Sequence, residues 1–233
     1  MVGRDHPILR LLRLFVANNP TLSGLLRIDF GFRRREPPSP PTLTPILLRL
    51  VFWLWLIGAL LVGHFQLLTR LPPPAVQGVL VFLTALLLLA YQRLEGVRAW
   101  VDALDFRALV GLHLSRFVGI YFLLLYQRGL LPYDFAVRGG LGDIVVAVGA
   151  LLFCLWPLGV EKRRRALTVW NVVGSIDILL VVSTAARHGL EGNPQMRLLA
   201  VLPLSLLPTF FVPLIIATHV IIFLRLRRLP PVA

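Results

Sequence analysis

The sequence is short of acid and nearly without cysteine. Of its 233 residues only 11 are Asp or Glu, against 24 Lys or Arg, and charged residues of both signs make up 15% of the chain. Soluble domains carry about 25%. The single cysteine, Cys154, excludes an intrachain disulfide, and there is no CxxC or Cys/His zinc pattern. Also missing are HExxH, GxSxG, a Walker loop and any pair of intramembrane carboxylates close in sequence, so nothing argues for an enzyme. No internal repeat is visible, although two sets of three spans would have the arithmetic of an inverted pair.

Apolar side chains fill the space left by these absences. The chain is 57% hydrophobic, with a mean hydropathy of +0.80. Six apolar runs stand out: Pro45–Leu68, Ala75–Leu94, Ala108–Tyr126, Leu141–Val160, Leu167–Ala186 and Leu198–Leu224. Each can cross a hydrocarbon layer of about 30 Å at about 1.5 Å per residue. The expected fold is therefore an all-α integral membrane bundle of six transmembrane helices. The last run is longer than a crossing needs, which implies tilt, a kink or an interfacial end.

Six alternating spans divide the basic residues unequally. One side receives 18 of the 24, the other side 5, and Arg116 lies within a span. The basic side is cytoplasmic by the positive-inside rule, which predicts both termini there. A formal charge of +13 would suggest nucleic acid in a soluble protein. Here it is assigned to cytoplasmic loops and anionic lipid, with no nucleic-acid partner.

Residues 1–44 form a separate cytoplasmic feature, 45–228 the bundle and 229–233 a short tail. In HPILRLLRLF, Ile8, Leu9, Leu11, Leu12 and Phe15 recur at near-helical spacing, with Arg10 and Arg13 on another face. A basic amphipathic helix on the membrane surface fits this pattern, and a helix that docks a membrane-protein partner is the alternative. FRRREPPSPPTLTP then makes a basic, proline-rich linker.

Polar residues inside the spans are the candidate functional groups. WNVVGSIDILLVV, starting at Trp170, places Asp177 about 15 Å deep in span five, and Arg116 lies about 12 Å deep in span three. Both helices run the same way, so an Arg116–Asp177 ion pair would offset two charges that each cost about 2.5–3.5 kcal/mol to insert. Gly174 and Gly119 leave room for close approach. Such a pair can serve function or only fix helix register, and a protonated Asp177 is a third possibility.

His113 and His219 fall at similar depth nearer the cytoplasmic side, with Asn171 close by. As an opposed pair they could ligate a b-type haem or relay protons. Hydrogen-bonding core imidazoles are the plainer reading, and no cofactor is favoured. In span six, Pro203, Pro208 and Pro213 free the carbonyls of Leu199, Leu204 and Thr209, which implies a kinked packing helix or one wall of a substrate path. LLPYDFAVRGGLGD reads as an outer loop, with Asp134, Arg138 and Asp143 as its charged residues. Its glycines 139, 140 and 142 would allow tight turns, and Asp143 would open span four at a helix N-terminus.

Arg116 followed by Gly119 and FLLL, then GLLPYDFAVRGGLGD, WNVVGSID and PTFFVPLIIATHVIIFLRL, resembles a group of uncharacterised bacterial multi-pass membrane proteins over roughly residues 108–228. The resemblance implies a bacterial inner-membrane address and no particular chemistry. Three functional readings follow. The first is movement of a proton or small solute past the buried Arg–Asp site. The others are a structural or accessory subunit of a membrane complex, and a haem protein.

Overall fold

The computed structural model describes residues 43–156 and 159–228. The surface helix expected near the start, the linker up to residue 42 and the tail at 229–233 lie outside them. Among the described residues there are eight α-helices and no strand. Six helical stretches are long and apolar enough to cross a membrane, and we refer to them as spans one to six.

Spans one and two are the helices α1 (Leu43–His64) and α2 (Pro73–Arg93). A short amphipathic helix, α3 (Glu95–Ala103), leads into span three. That span has three pieces: α4 (Phe106–Gly111), a tight 3-10 segment (Leu112–Phe117) and α5 (Val118–Gln127). Span four begins as a π-helix (Asp134–Gly139) and continues as α6 (Gly140–Leu155). Span five is the long α7 (Val160–Leu190). Its 31 residues reach about 46 Å at about 1.5 Å per residue, so the end bearing Lys162 to Arg165 extends past an apolar layer of about 30 Å.

Span six departs from the expected boundaries. Residues Pro194–Ala200 form a separate 3-10 helix, and the crossing starts only at a π-helix (Leu207–Phe211) that runs into α8 (Val212–Arg228). The prolines explain the shortening, because Pro203 and Pro208 cannot continue a regular ladder upstream. Two of the three freed carbonyls find donors. Leu204 O accepts from Leu207 N at 3.0 Å, and Thr209 O accepts from the Trp55 indole of α1 at 3.0 Å.

Spans three and five stop for the same reason. Gly129 (φ 69°) and Gly192 (φ 70°) adopt the left-handed conformation that closes a helix C-terminus. Leu130 N then bonds Leu125 O at 2.9 Å, and Asn193 N bonds His188 O at 3.0 Å. Gln195 Nε2 donates to Gly129 O at 2.8 Å and ties the two endings together.

Span six is the hub. Of its most apolar stretch 61% is buried, against 11% for spans one and two, where Trp53, Phe82 and several leucines (Leu50, Leu54, Leu86, Leu89) point outward. Spans three, four and five pack in chain order, and α8 lies against α7 and α2. Buried apolar residues form three clusters, one of them, with Leu80, Ile178, Val212 and Ile215, joining spans two, five and six at mid-depth. Tyr91, Val110, Phe153, Leu167 and Ile222 pack near the Arg225 end, and Phe122, Phe135, Met196 and Leu204 near the Gly129 end. The polar residues of the bundle lie between.

Lipid offers apolar surface as readily as another helix does, so helix association depends on close packing. Spans three and four achieve it with glycine. A Cβ on Gly119 would stand 2.3 Å from the Gly140 carbonyl oxygen, and one on Gly140 would stand 2.9 Å from Gly119 O. The glycines of RGGLGD are therefore not turn residues. They lie within the helical backbone of span four, where their missing side chains admit neighbours. Replacing Gly119 by Ala should separate the two helices and lower stability by about 1–3 kcal/mol, measured by reversible unfolding in mixed detergent.

Asp105 starts α4 by accepting from Arg107 N at 2.7 Å and from Arg163 Nη2 of α7 at 3.0 Å. The Arg107 backbone N–H, helped by the Arg163 charge, holds its carboxyl below the ordinary value of 3.8. The folded value lies below the unfolded one, so this contribution is present above about pH 4 and fades as pH falls through the folded value. Asp105→Ala should cost about 1 kcal/mol at neutral pH. The deficit should narrow in acid, which unfolding at a series of pH values would show.

Candidate polar site in the bundle

The site is built where span three tightens. In a 3-10 segment residues three apart eclipse, so His113 and Arg116 point from the same side, one above the other. Both are buried, His113 completely and Arg116 to 99%. A guanidinium in such a place needs partners for its fork of donors. It has three. Arg116 Nε donates to Asp143 Oδ1 at 2.6 Å, Nη1 donates to Gly174 O at 3.1 Å, and Nη2 contacts Asp177 Oδ2. Spans three, four and five are thus joined at one side chain.

Asp143 is the residue that sequence reasoning placed elsewhere. It does not open span four. The span begins at Asp134, nine residues earlier, and Asp143 lies about 13 Å into the helix, at the depth of Arg116. Its side chain is only 5% exposed, against 17% for Asp177. The expected outer loop is likewise helical from Asp134 onward. Asp134 Oδ2 accepts from Arg187 Nη2 at 2.8 Å and its Oδ1 stands 3.6 Å from Arg138 Nη1, both near the surface and apart from the Arg116 cluster.

Gly142 and Gly174 make the geometry possible. A Cβ on Gly142 would overlap Asp177 Oδ1, and one on Gly174 would stand 2.6 Å from His219 Cε1. Gly174 therefore serves two layers. Its carbonyl receives Arg116, and its bare Cα receives the His219 ring.

The second layer contains His113, His219, Asn171, Thr218 and Trp170. Asn171 grips His219 twice, its Nδ2 donating to His219 O at 3.1 Å and its Oδ1 standing 2.8 Å from His219 Nδ1. His113 Nε2 lies 3.1 Å from Thr218 Oγ1. Trp170 Nε1 donates to Val146 O at 3.0 Å, and its ring packs edge-on against His113 with centroids 4.9 Å apart. The two imidazoles touch one another, with centroids 4.3 Å apart and planes tilted by 56°. That contact corrects the haem alternative: axial ligands must stand on opposite faces of a macrocycle, and rings packed together leave no space for one.

Two spaces border the carboxylates. Asp177 lines an open groove of about 480 Å³, together with Asp134, Arg138, Ser183, Thr184 and Arg187. Asp143 and Arg116 line a smaller, partly enclosed cavity of about 70 Å³, walled by Ser115, Phe122, Leu207 and Phe211 among others. About 10–15 Å³ of such volume accepts one water, so the cavity has room for several.

A family model matches residues 73–227, described as Domain of unknown function (DUF8737). The chain belongs to this family. The match begins at residue 73 rather than 108, so it takes in span two beyond the stretch that the sequence resemblance covered. It includes every residue of both polar layers and leaves α1 outside. No curated protein and no solved structure matches the chain.

Breaking one side of a buried ion pair leaves an uncompensated charge, at a cost of about 3–5 kcal/mol. Arg116→Met should therefore destabilise by about that amount. Arg116→Lys should recover only part of it, because one ammonium lacks the planar fork that reaches three acceptors on three helices. Unfolding of both variants in mixed detergent is the check.

Proposed function

We propose that this is a multi-pass protein of a bacterial inner membrane whose Arg116–Asp143–Asp177 cluster binds a proton and passes it through the bundle. One observation carries the reading: a single buried guanidinium is shared by two carboxylates, each bordering a different space. With both carboxylates ionised the cluster holds one uncompensated negative charge, which is costly at membrane depth and favours uptake of a proton. A proton arriving along the groove would reach Asp177 first. Shifting the proton to Asp143 by way of water would leave Asp177 ionised and Asp143 protonated beside the smaller cavity, with Arg116 keeping all its own protons.

The charge distribution supports a direction. Placing the basic loops in the cytoplasm puts the mouth of the groove, with Asp134, Arg138 and Arg187, on the outer side. The same orientation brings Arg98, Arg107, Arg165 and Arg227 to the anionic inner leaflet, which makes acidic lipid the natural partner of that face.

The test uses the full chain in proteoliposomes loaded with a pH-sensitive dye. Asp177→Asn and Asp143→Asn should each slow proton movement at least tenfold, while Glu161→Gln, in an exposed pair with Arg165 away from the groove, should leave it nearly unchanged. Full proton movement in a folded Asp177→Asn variant would overturn the reading. The accessory-subunit alternative draws on a different observation, that Arg116 ties three spans together. It predicts that the aspartate variants alter only stability and assembly.

A further inference from the structure

The histidine layer carries more than packing, because the surrounding hydrogen bonds determine which nitrogen of each ring holds the proton. Thr218 Oγ1 lies 2.8 Å from Leu214 O and 2.9 Å from Ile215 O, so its one hydroxyl proton is directed to its own helix. Towards His113 it can only accept. His113 Nε2 is therefore the protonated nitrogen, and Nδ1 bears the lone pair. Asn171 is oriented in the same way. Its NH₂ group faces His219 O, so its Oδ1 faces His219 Nδ1 and accepts from it. His219 then carries its lone pair on Nε2.

The two remaining nitrogens, His113 Nδ1 and His219 Nε2, are fully buried and have no hydrogen-bond partner among the described residues. Both are acceptors, on rings in direct contact. Two buried acceptors held bare by two separate locking contacts call for a donor that serves both. The Arg116 guanidinium, which carries both carboxylates, meets this layer at Gly174. His219 Nε2 is 3.0 Å from the Cβ position of Gly174, the residue whose carbonyl receives Arg116.

We propose that His113 Nδ1 and His219 Nε2 are the acceptor end of the proton path, receiving through bound water the proton released by the Asp143–Arg116–Asp177 cluster. This rests on the reading of that cluster as a proton site. In the step, water donates one O–H proton to an imidazole lone pair and takes one from the carboxylic acid, so the carboxylate is regenerated and the imidazole becomes imidazolium. Arg116, Asp143 and Asp177 are the charged groups nearest this layer. Trp170, Asn171 and Thr218 supply its neutral walls.

Solid-state NMR of the full chain in bilayers, with ¹⁵N-labelled histidine, tests the arrangement without reference to transport. The neutral rings should show the Nε2–H form at His113 and the Nδ1–H form at His219, with both bare nitrogens in contact with exchangeable water protons. The opposite form at either ring, or no water contact, would overturn the proposal. So would a stoichiometric transition metal bound to these nitrogens in the purified protein. In the dye assay, His219→Gln and His113→Gln should each slow proton movement at least tenfold. If Asp177→Asn abolishes movement while both histidine variants retain it, the relay is wrong and the carboxylate site stands. If Asp177→Asn also retains movement, the cluster reading fails as well.

Discussion

A guanidinium inside an apolar layer is the constraint around which this bundle is arranged. Bulk solvent does not reach Arg116 at 1% exposure, so its fork of donors is met by protein oxygen. Asp143, Asp177 and the Gly174 carbonyl supply it from two further spans. The rest of the local structure follows from bringing three helices that close. Gly119 and Gly140 let backbones approach, Gly142 admits the Asp177 carboxylate, and the 3-10 segment points Arg116 inward. Of these small residues Gly142 serves the charge directly, while Gly119 and Gly140 serve it by closing spans three and four.

The irregular parts of the helices border the polar site or its cavity. Three of the six spans depart from α geometry. The 3-10 segment holds His113 and Arg116. The π-helix at Asp134–Gly139 sends Phe135 to the cavity wall, and the one at Leu207–Phe211 sends Leu207, Pro208 and Phe211. Single turns of π-helix recur at functional sites because they re-aim side chains while keeping the helix intact. Here they contribute Phe135, Leu207, Pro208 and Phe211 to the wall of the cavity beside the charge cluster.

Much of this was legible in the residues. Run length and composition predicted six spans, and the depths of Arg116 and Asp177 made them partners before any contact was visible. Asp143 escaped for a definite reason. RGGLGD contains three glycines, and glycine serves both tight turns and tight helix contacts. Reading a turn moved the start of span four to Leu141 and put Asp143 at the surface. Counting from Asp134 instead would have given it the depth of Arg116. The proline-rich start of span six misled in the opposite direction, because composition alone extends a helix through residues that its backbone cannot. Ring contact between His113 and His219 was beyond sequence altogether, since helix rotation decides whether two groups at one depth face each other.

The bond from Trp55 to Thr209 has a consequence for how the chain is made. Pro213 leaves that carbonyl bare, and its donor lies on another span, 154 residues earlier. The bond can therefore form only once spans one and six are both in the membrane. Meanwhile the outward leucines of span one keep it comfortable in lipid. Span one, only 11% buried along its apolar stretch, is thus held to span six by a polar tie as well as by packing.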